Sequence, residues 1–78
     1  MRIRWQGRIT VDAERHHGEP CITGTRVPVA TIVGSIADGM TPVEVVEQYP
    51  QLAVEDVQAA LAYAADVLRS DPLLPIPA

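Results

Sequence analysis

The residue types that could catalyse a reaction or bind a metal gather in one short stretch. They are Glu14, His16, His17, Glu19 and Cys21. A Cys/His nucleophile pair needs a third group that orients the histidine and a site for the oxyanion, and proximity in the sequence supplies neither. Structural zinc takes four ligands at recognisable spacing, and two histidines with one cysteine supply at most three. We therefore interpret the histidines as solvated and Cys21 as a small buried strand residue. We expect no enzyme activity, metal or cofactor.

The arginines are the second group of residues that could bind a ligand, and most of them lie in the first third of the chain. Residues 1–26 carry five arginines and three acids, whereas residues 27–78 carry one arginine and seven acids, and there is no lysine. The formal net charge of −4 thus conceals a basic arm followed by an acidic body. A basic arm can contact a polyanion, whereas an acidic body favours a basic partner.

Two interpretations of the basic arm stay open. In the first, Arg2, Arg4 and Arg8, helped by Arg26, contact DNA as a β-ribbon or as an arm in the minor groove. In the second, the arm arginines are solvated strand residues with Trp5 packed beneath them. For Arg26 we favour a structural role, in which it donates hydrogen bonds to loop carbonyls and holds its turn.

The elements that must position these residues are short. Alternation in "RITVD" predicts a half-buried strand over Arg8–Asp12, with Ile9 and Val11 on one side. Two β-prone runs in "CITGTRVPV" predict a tight hairpin around Thr23-Gly24. Such small strands need the helices, or another chain, to cover them.

Helical periodicity starts at Val29. The first helix is predicted from an apolar stripe at i, i+3, i+4, i+7 and i+8, formed by Val29, Ile32, Val33, Ile36 and Ala37. Pro28 suits its first turn, and Gly39 suits a left-handed residue after its end.

The second helix has the best-marked start in the chain. Thr41 and Glu44 form the T-x-x-E pattern of a capping box, and Pro42 occupies the first helical position. The helix must be short, because Pro50 forces Tyr49 out of helical geometry.

The third helix is predicted from about Val54 to Arg69, with Val57, Leu61, Ala64 and Leu68 on one face. In a helix-turn-helix the last helix reads bases from its first turns. Here those turns carry Glu55 and Asp56, whose charges oppose binding to phosphates. We therefore expect this helix to be a poor recognition helix.

The chain ends in an apolar, proline-rich tail, residues 71–78. Its Leu73, Leu74 and Ile76 are separated by prolines, so the tail can extend but cannot form a helix. It could lie in the groove of a partner protein, pack on its own core, or fray.

Length and composition bound the remaining choices. With 78 residues and no Phe, residues 1–70 form one small domain whose aliphatic core is marginal, so we expect a homodimer or a bound partner. No apolar run approaches the roughly 18 residues of a membrane span. The N-terminus lacks the apolar stretch of a signal peptide, and one cysteine gives no disulfide framework. We expect a cytoplasmic protein that does not enter the membrane.

The motif "GEPCITGTRVPV", with the patterns that follow it, resembles the bacterial domain-of-unknown-function family numbered 433. The resemblance runs from Ile9 to about Leu68. The matching residues are Gly18, Pro20, Ile22, Gly24, Thr25, Arg26, Val27, Pro28, Val29, Gly39, Thr41, Glu44, Tyr49, Pro50, Leu52, Asp56, Val57, Ala60, Leu61, Tyr63 and Ala64.

The resemblance implies a mostly helical fold, with a three-helix, homeodomain-like core preceded by short β-strands or a hairpin. It also implies an antitoxin-like protein that binds a PIN-like ribonuclease toxin and, as a dimer, its own operator DNA. The alternative is a stand-alone DNA-binding regulator that uses the Arg-rich arm. The sequence departs from the family pattern at Glu19 (usually Lys), Cys21 (usually Val) and Ala53 (usually a Ser/Thr helix cap). Glu19 puts nucleic-acid contact near its loop in doubt.

Overall fold

The structure, a computed structural model, describes residues 5–12, 14 and 18–70. Its elements, in chain order, are β1 (Ile9–Thr10), β2 (Cys21–Ile22), α1 (Val29–Ala37), α2 (Pro42–Gln48) and α3 (Val54–Ser70). The predicted fold class, three helices preceded by two short antiparallel strands, is confirmed. No helix in the described part of the chain is long and apolar enough to cross a membrane.

The sheet is smaller than the sequence predicts. β1 pairs antiparallel with β2, with Ile9 opposite Ile22 and Thr10 opposite Cys21. Ile9 is buried as expected, but Val11 is 56% exposed. The prediction that Val11 shares a half-buried face with Ile9 is therefore wrong. Alternation determines the buried side only while the strand stays paired, and β1 ends at Thr10.

The tight turn around Thr23-Gly24 is present. The Ile22 N–H donates to the Val27 carbonyl at 3.0 Å, and the Thr25 N–H donates to the Ile22 carbonyl at 3.0 Å. Gly24 has a φ of +81°, a conformation that residues with a Cβ rarely adopt. The turn brings Val27 into the core and starts α1 two residues later.

Both predicted ends of α1 agree with the structure to within one residue. The helix begins at Val29, and Pro28 is the extended residue just before it, with φ −69° and ψ 146°. Gly39 has a φ of +100°, and its N–H donates to the Ile36 carbonyl at 3.0 Å. The left-handed residue that ends the helix is thus the glycine that the sequence places there.

The capping box of α2 is complete. The Thr41 N–H donates to Glu44 Oε1 at 2.9 Å, and the Glu44 N–H donates to Thr41 Oγ1 at 3.2 Å. Pro42 is the first helical residue. The helix ends at Gln48, and Tyr49 has a ψ of 79° before Pro50, as steric conflict with a following proline requires.

The largest fully buried side chains of the core come one from each helix: Ile32, Val45 and Val57. Most of the other core residues come from the strands and connecting segments, and α3 adds two alanines. They are Ile9, Ile22, Val27, Val29, Leu52, Ala59 and Ala60. The core is therefore aliphatic, as the absence of Phe requires.

The face of α3 that carries Val57, Leu61, Ala64 and Leu68 is fully buried only at its start. Val57 is fully buried, but Leu68 is 61% exposed and Leu61 and Ala64 are half-buried. α3 has 17 residues whereas α1 has 9 and α2 has 7. At 1.5 Å per residue, α3 is about 25 Å long and the other two about 13 and 10 Å. The short helices cannot cover the second half of the long one.

The capping box makes stability depend on pH. The hydrogen bond from the Thr41 backbone N–H, and then that with the Thr41 side chain, lower the pKa of Glu44. A carboxyl whose pKa is lower in the folded protein stabilises it above the unfolded pKa, and this contribution is lost as pH falls through the folded pKa. We expect the stability advantage of the wild type over Glu44→Gln to shrink as urea unfolding is repeated from neutral pH into that acid range.

The matched comparison uses Thr41→Ala, which removes the capping hydroxyl. In this background, Glu44→Gln should show a smaller pH-dependent difference, because one of the hydrogen bonds that lowers the pKa is gone. An unchanged difference would show that the Thr41 hydroxyl does not contribute to it.

Candidate functional site

The described part of the basic arm, residues 5–8, is bound to α3. Arg8 Nη1 lies 2.9 Å from Asp56 Oδ1. The other oxygen of that carboxylate, Oδ2, accepts the Ala53 N–H at 2.9 Å. The Arg8 side chain is 45% exposed and that of Asp56 only 14%. One carboxylate therefore holds the arm and also caps α3, where Ala53 offers no capping side chain.

Trp5 makes the second contact between the arm and α3. Its Nε1–H donates to Asp66 Oδ2 at 2.8 Å. Its ring meets Tyr63 edge to face, with centroids 4.8 Å apart and an interplanar angle of 87°. Such a pair adds roughly 0.5–1.5 kcal/mol beyond area burial. Trp5 thus packs on the third helix and makes its hydrogen bond there.

Sequence reasoning did not identify Tyr63 and Asp66 as arm contacts. Tyr63 follows Asp56 by seven residues, which returns to nearly the same face of a helix, whereas a spacing of ten residues leaves Asp66 about 80° around it. The seven-residue spacing was a usable signal for Tyr63 alone. However, the sequence did not show which segment would cover that side.

These contacts determine which of the predicted DNA-contacting arginines have a guanidinium without a partner. Arg2 and Arg4 lie outside the described residues. Arg8 is described, and its guanidinium already has a carboxylate partner. Arg26 is exposed, and it makes no ion pair or side-chain hydrogen bond with any residue of the described ranges. Of the four predicted DNA contacts, Arg26 is the one whose described guanidinium is free for a ligand.

Arg26 borders a shallow surface groove of about 820 Å³ beside the sheet. The described lining comprises Thr10, Asp12, Cys21, Ile22, Thr23, Gly24, Thr25 and Arg26. Within it, the hydroxyls of Thr10 and Thr23 are 2.7 Å apart and share a hydrogen bond. Asp12 Oδ1 accepts the Glu14 N–H at 2.9 Å. The groove therefore combines hydroxyls, a carboxylate and one free guanidinium.

Thr25, rather than Arg26, holds the turn beside this groove. Its hydroxyl donates to the Ile22 carbonyl at 2.8 Å and accepts the Val27 N–H at 3.1 Å. Within residues 5–12, 14 and 18–70, these are the side-chain bonds that close the loop, so the structural role we favoured for Arg26 falls to its neighbour. A Ser/Thr hydroxyl bonded to nearby backbone is a common turn device.

Cys21 is buried at the floor of the groove, 3% exposed. Burial, and then the charge of Glu19, raise the pKa of its thiol. A raised pKa disfavours the thiolate, which is the nucleophilic form. The interpretation of Cys21 as a small buried residue agrees with this. His16 and His17 lie outside the described residues, and within these residues no three His, Cys, Asp or Glu side chains form a metal-binding group.

The helical side of the molecule carries the negative charge. Asp38, Glu44, Glu47 and Glu55 are all exposed, and no Lys or Arg occurs between residues 27 and 68. The predicted partner-binding residues Leu73, Leu74 and Ile76 lie outside the described residues, in the segment that follows α3.

A comparison with protein families identifies most of this architecture. The model of the family described as "Protein of unknown function (DUF433)" matches residues 9–64. The matched span includes both strands, α1, α2 and most of α3, and it excludes Trp5 and Arg8. Neither the curated proteins nor the solved structures gave a match.

The double role of Asp56 predicts unequal effects of removing the two partners of its ion pair. Arg8→Ala should lower the free energy of unfolding by less than about 1 kcal/mol, because the pair is partly exposed. Asp56→Ala should cost about 1–3 kcal/mol, because α3 also loses its capping acceptor. Urea unfolding measures both, and the fluorescence of the single tryptophan, Trp5, reports how firmly the arm is held.

Asp56→Asn is the matched control, since it keeps an oxygen for the Ala53 N–H while it removes the charge. Its loss should fall between those of the two alanine variants. Equal losses for Arg8→Ala and Asp56→Ala would contradict a separate capping role.

Proposed function

The chain belongs to the DUF433 family, and from this premise we propose that it is an antitoxin-like protein that binds and neutralises a PIN-like ribonuclease toxin. The partner class comes from the resemblance of the motif at residues 18–29 and of the patterns after it. The acidic surface of the molecule independently supports a partner with a positively charged binding cleft.

The single observation that carries the proposal is the exposed acidic surface of the helices. Four carboxylates on α1–α3 and their connections face solvent, and no basic residue between positions 27 and 68 offsets them. A ribonuclease must bind a polyanion, so its substrate cleft is expected to be positive. An acidic surface attracts such a cleft, speeds encounter and competes with RNA for the same cations.

The tail provides the second contact in this proposal. Prolines flank the Leu73–Leu74 pair and Ile76, so an extended conformation costs little ordering entropy on binding. In this proposal the acidic face speeds association with the nuclease. The apolar segment lies in a groove of the nuclease and slows dissociation.

The test co-expresses the protein with the product of the neighbouring gene, followed by pull-down and by measurement of growth and RNA cleavage. Asp38→Lys with Glu47→Lys should weaken the complex by at least about tenfold, because two attractive charges become repulsive. Neither side chain makes a hydrogen bond or ion pair with another described residue, so folding should not change.

Asp38→Asn with Glu47→Gln is the control that keeps side-chain size, and its effect should be smaller than that of the lysine pair. Absence of any complex and of growth rescue would refute the antitoxin proposal. A complex that tolerates the lysine pair would place the toxin on another surface.

One observation favours the alternative, a DNA-binding regulator. Arg26 is exposed with its guanidinium uncommitted, beside a groove that also offers hydroxyl groups. If it contacts a phosphate, Arg26→Ala should weaken binding to the promoter of its own operon and reduce the slope of log K against log salt by about one. Arg26→Lys, which keeps the charge at the same position, should leave the slope nearly unchanged. Promoter binding that is absent, or independent of salt, would argue against this function.

A further inference from the structure

The second half of α3 exposes a face that the described parts of this chain leave largely uncovered. Two other sides of the helix are occupied. Val57 and Ala60 lie in the core, while Tyr63 and Asp66 contact Trp5 of the arm. The remaining side, which we term the free face, consists of Val54, Glu55, Gln58, Leu61, Ala62, Ala65, Leu68 and Arg69.

The free face forms one continuous surface. Its members recur at spacings of three and four, which bring residues together on one side of a helix. None of them is fully buried, and Leu68 is 61% exposed. Leu61 reaches the edge of the core from one flank. Ala62 and Ala65 lie near the centre of this surface. Because their side chains are small, a second helix can approach closely there.

We propose that the free face pairs with the same face of a second copy of this chain, with the two α3 helices antiparallel. The interface is isologous, as a two-fold dimer requires, and its axis passes beside Ala62. Glu55 and Arg69 lie seven residues on either side of Ala62, about 10 Å along the helix in each direction. Rotation about the axis therefore brings Glu55 of each copy to the level of Arg69 of the other.

In the same register, the other flank of the interface brings together apolar side chains of the two copies. Leu61 lies close to the axis, so it meets Leu61 of the second copy. Leu68 and Val54 of the second copy lie about 3 Å apart along the helix axis, so their side chains can meet. One register thus matches opposite charges along one flank and aliphatic groups along the other, which is the complementarity that a self-association surface needs.

Charge selects the antiparallel arrangement. In a parallel pair, Glu55 would face Glu55 and Arg69 would face Arg69, and like charges in contact are destabilising. Arg69 is available for the contact, since its bond to Asp66 is 3.2 Å long and its side chain is 62% exposed. Exposed ion pairs of this kind contribute little. This dimer does not depend on the proposed toxin or on DNA.

The experiment is a charge exchange, read by sedimentation equilibrium over a concentration series to about 100 µM. Wild-type protein should be a dimer. Glu55→Arg alone and Arg69→Glu alone should each raise the dimer dissociation constant at least about tenfold, because like charges then meet at both ends of the interface. The double variant, Glu55→Arg with Arg69→Glu, should restore most of the affinity.

The double variant separates the interface from folding. Both substitutions place charges unfavourably for the helix dipole, so a loss of helix stability would accumulate in it rather than recover. Glu47→Arg makes the same charge change on α2 and should leave dimerisation unchanged. A monomeric wild type, or a double variant no better than the single ones, would overturn the proposal.

Leu68→Glu provides a second, uncharged-to-charged test on the apolar flank. It should weaken the dimer while the melting temperature of the dissociated chain stays within a few degrees, because Leu68 is mostly exposed in one copy. A monomeric protein that Leu68→Glu destabilises strongly would show that the tail of the same chain covers the free face, and the proposal would fail.

Discussion

A mismatch in helix length determines how this small domain is built. α1 and α2, with 9 and 7 residues, pack against a helix of 17. Their two fully buried side chains, Ile32 and Val45, lie in the same core cluster as Val57, near the start of the long helix. Beyond Ala60, no residue of α3 is buried. Its second half must find other cover, and the arm supplies it on one side through Trp5.

The arm covers α3 through contacts with acidic side chains of that helix. Two acids of α3, Asp56 and Asp66, accept hydrogen bonds from the arm. Asp56 also supplies one half of a capping box, because its Oδ2 accepts the Ala53 N–H. The arm is therefore held by the acidic body, and Arg8 contributes to folding rather than presenting a free cation. Four other acids, Asp38, Glu44, Glu47 and Glu55, are exposed, and there they can attract a positive partner.

Local chemistry made much of the fold predictable. The capping box of Thr41 and Glu44, the left-handed Gly39 and the stop before Pro50 each depend on residues within one turn of the chain. Three-helix content and the family followed from the same short patterns and are confirmed. Predictions that needed a neighbouring element were less reliable. Val11 follows the last paired residue of β1 and is exposed, and Leu68, on the face predicted for α3, is 61% exposed.

The amino-acid sequence by itself therefore determined where helices begin and end, the aliphatic composition of the core and the separation of basic from acidic residues. Only the tertiary structure determined which charged side chains pair with each other within the chain. Arg8 meets Asp56 across 48 positions of sequence, and Trp5 meets Asp66 across 61. Arg26 is left without such a partner in the described chain. Hydrogen bonds within a turn are encoded by adjacent residues, whereas a long-range ion pair depends on which surfaces packing brings together.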